Sequence, residues 1–171
     1  METVPFATRA LGLAWLLLDV DGVLTDGRLY YGTGPEPTVT FDIKDGLAMK
    51  LAQRAGLKVG LLSGRRTAAV KTRARSLGLD CAILGREDKD AAFSEFLASR
   101  EETAERVAYM GDDLLDLGVL RRCGLALAPS DAVPEVRAVA HLVVAAPGGR
   151  GAVRAAVEAI LGARGTWPPA F

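Results

Sequence analysis

A short apolar run that ends abruptly in two carboxylates constrains this chain more than any other feature. Leu16-Leu17-Leu18 leads directly into Asp19-Val20-Asp21-Gly22, and a continuous apolar run of this kind is typical of a strand buried on both faces of a parallel sheet. Ionised carboxylates are costly to bury unless positive charge lies among them. Because open α/β sheets bind ligands at the carboxyl ends of their strands, the run predicts a divalent-cation site there.

Two other interpretations of this segment fit less well. An EF-hand calcium loop needs a further oxygen ligand where Val23 stands and a glycine where Leu24 stands. The simpler alternative is a pair of solvated aspartates in a turn that binds nothing. The position of the pair at the end of a buried strand favours the cation site.

The composition argues against several classes of function. The 21 basic and 21 acidic residues cancel, so no positive field is expected to hold nucleic acid or an anionic membrane. Cys81 and Cys123 lie beside apolar residues, which predicts neither a disulfide framework nor a metal site. Ala10 to Leu18 has the apolarity of a signal peptide, but it lacks a basic lead-in beyond Arg9 and is too short to span a bilayer. We therefore expect a soluble cytoplasmic protein.

Short apolar segments alternate with segments of helical spacing from the first strand to the end of the chain. The apolar segments lie near residues 16–18, 57–62, 81–84, 107–110, 125–127 and 142–144. This alternation predicts parallel βαβ units and an α/β fold with a doubly wound, Rossmann-like sheet. We expect a single domain over residues 1–165, and a loose tail over residues 166–171, which contain two prolines.

One segment departs from the alternation. Leu29-Tyr30-Tyr31 and Val39–Ile43 flank a loop rich in glycine and proline, and the second arm alternates apolar and polar residues. The pattern predicts a small β-hairpin, here called the flap, over residues 27–43. The flap is too short to form a domain of its own.

Polar residues follow several of the predicted strands, and parallel strands would bring them together at one edge of the sheet. They are Asp19, Asp21, Ser63, Lys89 and Asp112. Three carboxylates form a hard oxygen site that suits Mg²⁺. Donors that face such a site, from a serine, a helix N-terminal amide and a lysine, suit a bound phosphoryl group.

A carboxylate in this setting can act as a nucleophile towards phosphorus and form an aspartyl-phosphate. We assign that role to Asp19, since it still belongs to the strand and should be held more rigidly. Asp21 is placed to protonate the leaving oxygen and later to activate water.

Four short motifs, taken in order, resemble those of the haloacid dehalogenase superfamily: Asp19-Val20-Asp21-Gly22, Ser63, Lys89 and Gly111-Asp112-Asp113. Within that superfamily, the chain from Leu16 to Leu161 is similar to the 3-deoxy-D-manno-octulosonate 8-phosphate phosphatases. The strings that carry this similarity are Asp19 to Gly27, Lys44-Asp45-Gly46, Ser63-Gly64-Arg65, Gly111 to Leu114 and Gly148 to Arg154.

The resemblance implies roles at the matched positions. Asp19 would be nucleophile and Mg²⁺ ligand, Asp21 would be the acid/base with its carbonyl on the metal, and Asp112 would be the third protein ligand, supported by Asp113 and Asp116. Ser63 and Lys89 would hold the phosphoryl group. The residues implied in binding a phosphorylated sugar acid are Lys44, Asp45, Gly46, Lys50, Gly64, Arg65 and Arg73.

Members of this family lack a large cap domain and assemble as homotetramers, in which the flap and a neighbouring subunit close each active site. The resemblance thus implies a phosphatase without a cap, active on 3-deoxy-D-manno-octulosonate 8-phosphate and linked to lipopolysaccharide biosynthesis. Two alternatives stay open. One is a phosphatase for a nine-carbon ulosonate 9-phosphate, and the other is a non-catalytic tetramerisation module related to those of sialic-acid-activating synthetases.

Overall fold

The computed structural model describes residues 4–168. Its strands are β1 (Trp15–Leu18), β2 (Lys58–Ser63), β3 (Cys81–Leu84), β4 (Val107–Met110), β5 (Leu125–Ala128) and β6 (Leu142–Val143). Its α-helices are α1 (Phe6–Gly12), α2 (Ile43–Arg54), α3 (Ala68–Leu77), α4 (Lys89–Arg100), α5 (Leu117–Leu120), α6 (Pro134–Val139) and α7 (Ala152–Ala163). Short 3₁₀ turns cover Ala104–Arg106 and Leu114–Asp116.

The strands form one six-stranded sheet in the order β3-β2-β1-β4-β5-β6, and every pairing in it is parallel. The predicted doubly wound α/β fold is confirmed. Strand β1 lies at the centre, where Trp15 pairs with Lys58 of β2 on one side and with Val107 of β4 on the other. The strand order reverses at β1, and ligands bind at such switch points in open sheets.

Both faces of the sheet are covered, as the apolar strands require. Leu16 and Leu18 face a core built with α1, α2, α3 and α7. Trp15 and Leu17 face a second core built with α4, α5 and α6. All four residues of β1 are buried, so the strand that leads to Asp19 is held from both sides.

The flap differs from the predicted hairpin. Its antiparallel pairing is limited to one bridge, in which the Tyr30 and Thr38 amides donate to each other's carbonyl oxygens at 3.2 and 2.9 Å. Ile43, predicted as a strand residue of the flap, is instead the first residue of α2 and is 83% exposed. The helix begins there because the Asp42 carboxylate accepts a hydrogen bond from the Lys44 amide at 2.6 Å. The flap therefore ends at residue 42 and is mostly extended loop.

Two further features of the structure were not predicted. Helix α1 was not expected, yet Ala10 is buried and its carbonyl accepts a hydrogen bond from Arg164 Nε at 2.8 Å. Leu47 and Leu115, apolar residues within the segments that follow strand-like runs, are exposed. Among the described residues, no helix is both long and apolar enough to cross a membrane.

The start of the tail is packed rather than loose. The Thr166 amide donates to the Leu161 carbonyl at 2.9 Å. Trp167 packs partly buried against the core, and the Arg154 guanidinium lies 4.8 Å from its ring centroid. The remainder of the predicted tail, residues 169–171, lies outside the described residues.

Candidate active site

A cleft of about 530 Å³ opens at the carboxyl edge of the central strands. The predicted catalytic and metal-binding residues line it together, with Gly64 and Arg65 beside them: Asp19, Asp21, Ser63, Gly64, Arg65, Lys89 and Asp112. The parallel topology explains this convergence, because β1, β2 and β4 end at the same edge.

Asp19 is a buried carboxylate at the end of the central strand. It follows β1 directly, and its amide donates to the Met110 carbonyl of β4 at 2.9 Å. The residue is only 5% exposed, and its Oδ1 lies 2.9 Å from Lys89 Nζ. A buried carboxylate held by an ammonium has one fixed orientation towards the cleft.

Lys89 is the first residue of α4, where Asp88 caps the helix by accepting from the Ala91 amide. Its ammonium is buried and also lies 2.7 Å from Asp116 Oδ1. Burial alone would lower the pKa of Lys89, but Asp19 and Asp116 outweigh burial and raise that pKa. The ammonium therefore stays charged within the cleft.

Asp116 is fully buried and both of its oxygens are occupied by donors. Oδ1 accepts from Lys89 Nζ at 2.7 Å and from the Tyr109 hydroxyl at 2.6 Å. Oδ2 accepts from the amides of Asp112 and Asp113 at 3.0 and 3.1 Å. Asp113 itself is exposed and caps the following 3₁₀ turn. Asp116 thus ties the loop after β4 to the lysine.

The carboxylates fit a metal ion. One oxygen from each of Asp19, Asp112 and Asp116 lies within 4.8 Å of the others, but those of Asp116 already accept four hydrogen bonds. Asp112 Oδ1 is buried and has no hydrogen-bond partner among residues 4–168. Burial, with the charge of Asp116, raises the pKa of Asp19 to about 7. Burial, with the charges of Asp19 and Asp116, raises the pKa of Asp112 to about 8. A bound cation would stabilise both ionised carboxylates.

Two glycines allow the turn after Asp21 to approach its neighbours closely. Gly22 has φ +83°, and a Cβ atom there would collide with the Asp112 carboxylate. Gly148 lies on the other side of the same turn, where a Cβ atom would collide with the Gly22 carbonyl oxygen. The string from Gly148 to Arg154, which pointed to the family, therefore contacts the turn that follows Asp19 and Asp21.

Asp21 and Ser63 lie at the mouth and the wall of the cleft. Arg65 Nε lies 2.8 Å from Asp21 Oδ2, and both side chains are partly exposed. Ser63 ends β2, is 1% exposed, and its hydroxyl accepts from the Arg65 amide at 3.2 Å. Asp21 thus faces solvent and any bound substrate, whereas Ser63 is fixed in the wall.

The remaining residues implied in substrate binding lie outside the cleft. Asp45 is 1% exposed, and its carboxylate accepts from the amides of Gly151 and Arg154 at the start of α7, at 3.2 and 2.8 Å. Its implied role in substrate binding stays a prediction. Gly46 is buried against the Arg73 guanidinium, which a Cβ atom would displace, and its implied substrate contact stays a prediction as well.

Arg73 and the two lysines of α2 are placed differently. Arg73 donates to the Asp42 carbonyl at 3.0 Å, so it supports the junction between the flap and α2. Lys44 and Lys50 are exposed. For these three residues, a role in substrate binding stays a prediction.

Comparison with known proteins supports a family assignment. No protein-family model matches the chain. It is 39% identical over 153 residues to the 3-deoxy-D-manno-octulosonate 8-phosphate phosphatase KdsC of Yersinia pestis, covering 90% of this chain and 82% of that protein. It is 38% identical over 157 residues to KdsC of Escherichia coli K12, covering 92% and 84%.

Similarity to solved structures supports the same family assignment. A 3-deoxy-D-manno-octulosonate 8-phosphate phosphatase from Moraxella catarrhalis, in complex with a magnesium ion, a phosphate ion and a KDO molecule, superposes with a TM-score of 0.91 at 32% identity, covering 94% of this chain and 92% of that one. A probable YrbI family phosphatase from Pseudomonas syringae gives a TM-score of 0.91 at 43% identity, with the same coverage.

Proposed function

The chain belongs to the 3-deoxy-D-manno-octulosonate 8-phosphate phosphatase family of the haloacid dehalogenase superfamily, and we propose that it hydrolyses the phosphate ester of that eight-carbon sugar acid with Mg²⁺ as cofactor. The observation that carries the proposal is the placement of Asp19, which ends a buried strand with its carboxylate 2.9 Å from the Lys89 ammonium. Relatives that act on this substrate, one of them bound to magnesium, support it.

We propose that Asp19, Asp112 and the backbone carbonyl of Asp21 hold the metal. The buried, unpartnered Oδ1 of Asp112 supports this ligand set, as does the occupation of Asp116 by four donors. When bound, the ion neutralises negative charge on the carboxylates and on the phosphoryl oxygens.

In the first half of the reaction, a carboxylate oxygen of Asp19 attacks phosphorus and the ester P–O bond breaks. The bond electrons go to the sugar oxygen, which takes a proton from Asp21, and the phosphoryl group is left on Asp19 as an aspartyl-phosphate. Lys89, the Ser63 hydroxyl and the Gly64 amide stabilise the charge on the phosphoryl oxygens.

In the second half, Asp21 takes a proton from water as the water oxygen attacks phosphorus. The bond between phosphorus and the Asp19 oxygen breaks, and inorganic phosphate leaves. Asp21 pairs with Arg65 in this structure, so that ion pair has to open when substrate binds. Arg65 then becomes available to an anionic group such as the carboxylate of a sugar acid.

The test uses purified protein with a generic aryl phosphate. Activity should vanish with a chelator and return with Mg²⁺, and Asp19→Asn should fold normally but show no turnover, because a carboxamide is a very poor nucleophile. Full activity after metal removal, verified by elemental analysis, would contradict the metal. Wild-type-like kcat in folded Asp19→Asn would contradict the nucleophile.

The same assay separates the proposed enzyme from a non-catalytic tetramerisation module, which would show no turnover. A panel of phosphorylated sugars and sugar acids then separates the eight-carbon substrate from a nine-carbon ulosonate 9-phosphate. Both sugar acids carry one carboxylate and one phosphate, so the panel should compare kcat/KM rather than turnover alone. We expect the highest value for the eight-carbon ester.

We also propose that the protein is a homotetramer located in the cytoplasm. The flap and the first turns of α2 carry large apolar side chains that are exposed in the single chain: Tyr30 (46%), Tyr31 (79%), Ile43 (83%) and Leu47 (43%). Such a group of exposed side chains is typical of an interface. Light scattering should show a tetramer, whereas a fully active monomer at assay concentration would contradict the assembly.

A further inference from the structure

We propose that Tyr109 is a positioning residue for the phosphatase reaction: its hydroxyl fixes Asp116, which in turn holds Lys89 against Asp19. The inference rests on the proposed function, since it assigns a role in the same active site. Neither the motifs nor the spacing of the sequence pointed to this residue, because it lies in the middle of an apolar strand.

The surroundings of Tyr109 make its hydroxyl unusual. The residue is 0% exposed and packs in an apolar core with Trp15, Phe93 and Val107. Only the hydroxyl reaches a polar group, Asp116 Oδ1, at 2.6 Å. Phenylalanine would fill most of the same space, so the hydroxyl is not needed for packing.

The hydroxyl acts on one defined atom. Asp116 Oδ2 is tied to the loop after β4 by two backbone amides, whereas Oδ1 accepts, among residues 4–168, only from Tyr109 and Lys89. Tyr109 belongs to β4, which is paired with β1 and β5 on its two sides, and it therefore fixes Oδ1 independently of the lysine. Lys89 Nζ is then held 2.7 Å from Asp116 Oδ1 and 2.9 Å from Asp19 Oδ1.

Without the hydroxyl, a buried carboxylate loses one of its four donors and pulls more strongly on the lysine. The ammonium would shift towards Asp116 and away from Asp19 and the phosphoryl group. Because phosphoryl transfer depends on positioned charges, a small displacement of Lys89 lowers the rate of the chemical step. Substrate binding would change less, because Ser63, the Gly64 amide and the groups at the mouth of the cleft still hold the substrate.

Tyr109→Phe is the test, with Val107→Ala as the matched control. Val107 lies on the same strand and in the same core as Tyr109, is fully buried, has no polar side-chain atom, and begins β4 at the end opposite to the loop that carries Asp112. With an aryl phosphate and saturating Mg²⁺, Tyr109→Phe should lower kcat roughly tenfold, the effect of about 1.4 kcal/mol, and change KM less than twofold. Val107→Ala should lower the melting temperature but keep the wild-type kcat.

A wild-type kcat in folded Tyr109→Phe would overturn the inference, and so would an equal loss of kcat in Val107→Ala, which would show that the core in general sets the rate. If Tyr109→Phe does not fold, Tyr109→Met removes the hydroxyl with a more adaptable side chain, and the same split between kcat and KM decides. A wild-type protein without turnover would instead overturn the proposed function, and this inference with it.

Discussion

Replacing Asp45 with alanine should destabilise the protein without weakening substrate binding. The Asp45 carboxylate accepts from two amides at the start of α7, those of Gly151 and Arg154. Loss of a helix N-terminal cap costs about 0.5–2 kcal/mol, and each amide left without an acceptor in a partly buried site adds about 1 kcal/mol or more. Burial raises the pKa of Asp45, so the desolvation of the carboxylate offsets part of the stability that these two hydrogen bonds provide.

The net effect should be a free energy of unfolding lower by about 2 kcal/mol, which for a domain of this size is a melting temperature lower by about 4–8 °C. Calorimetry measures that shift, and steady-state kinetics with the phosphorylated sugar acid measures KM. Asp45→Asn keeps one acceptor oxygen and should lie between wild type and alanine. A tenfold higher KM with an unchanged melting temperature would refute the capping role and support Asp45 as a substrate contact.

Two further predictions follow from close contacts around the cleft. Gly22→Ala should raise the Mg²⁺ concentration needed for half-maximal activity at least tenfold, because φ at Gly22 is +83° and the added methyl would displace the Asp112 carboxylate. An unchanged Mg²⁺ titration would contradict Asp112 as a metal ligand. Deletion of residues 32–37 should raise KM for the sugar-acid phosphate more than for an aryl phosphate. The deletion removes Glu36, whose carboxylate accepts from the Ala68 amide at the start of α3 at 3.2 Å and so holds the flap against that helix. Equal effects on both substrates would contradict a role of the flap in recognition.

The alternation of apolar and helical segments was sufficient to predict the sheet and the convergence of Asp19, Ser63, Lys89 and Asp112, because the carboxyl ends of parallel strands lie at the same edge of a sheet. It could not predict interactions between groups that are distant along the chain. Asp45 and its partner amide at Arg154 are 109 residues apart, so nothing local to Lys44-Asp45-Gly46 distinguished a helix cap from a substrate contact.

Local signals also failed where tertiary contacts decide the structure. Helix α1 begins after Pro5 without a side-chain cap, and its position depends on hydrogen bonds from Arg164 to the carbonyls of Ala10 and Leu13. Tyr109 fitted the apolar pattern of β4, which carries no information on the partner of a hydroxyl. The flap arms had strand-like sequences, but only the pair Tyr30 and Thr38 forms a bridge.

The central position of β1 has a consequence for the order of events during synthesis. This strand, with Asp19 at its end, is synthesised well before its neighbour β4, which pairs Val107 with Trp15. Until then one edge of β1 has no partner, and the nascent chain carries an exposed apolar strand that can pair with other chains. Asp112 follows β4 directly, so the completion of the sheet and the arrival of this carboxylate coincide. A chain released before that point would be prone to aggregation and could not hydrolyse phosphate esters.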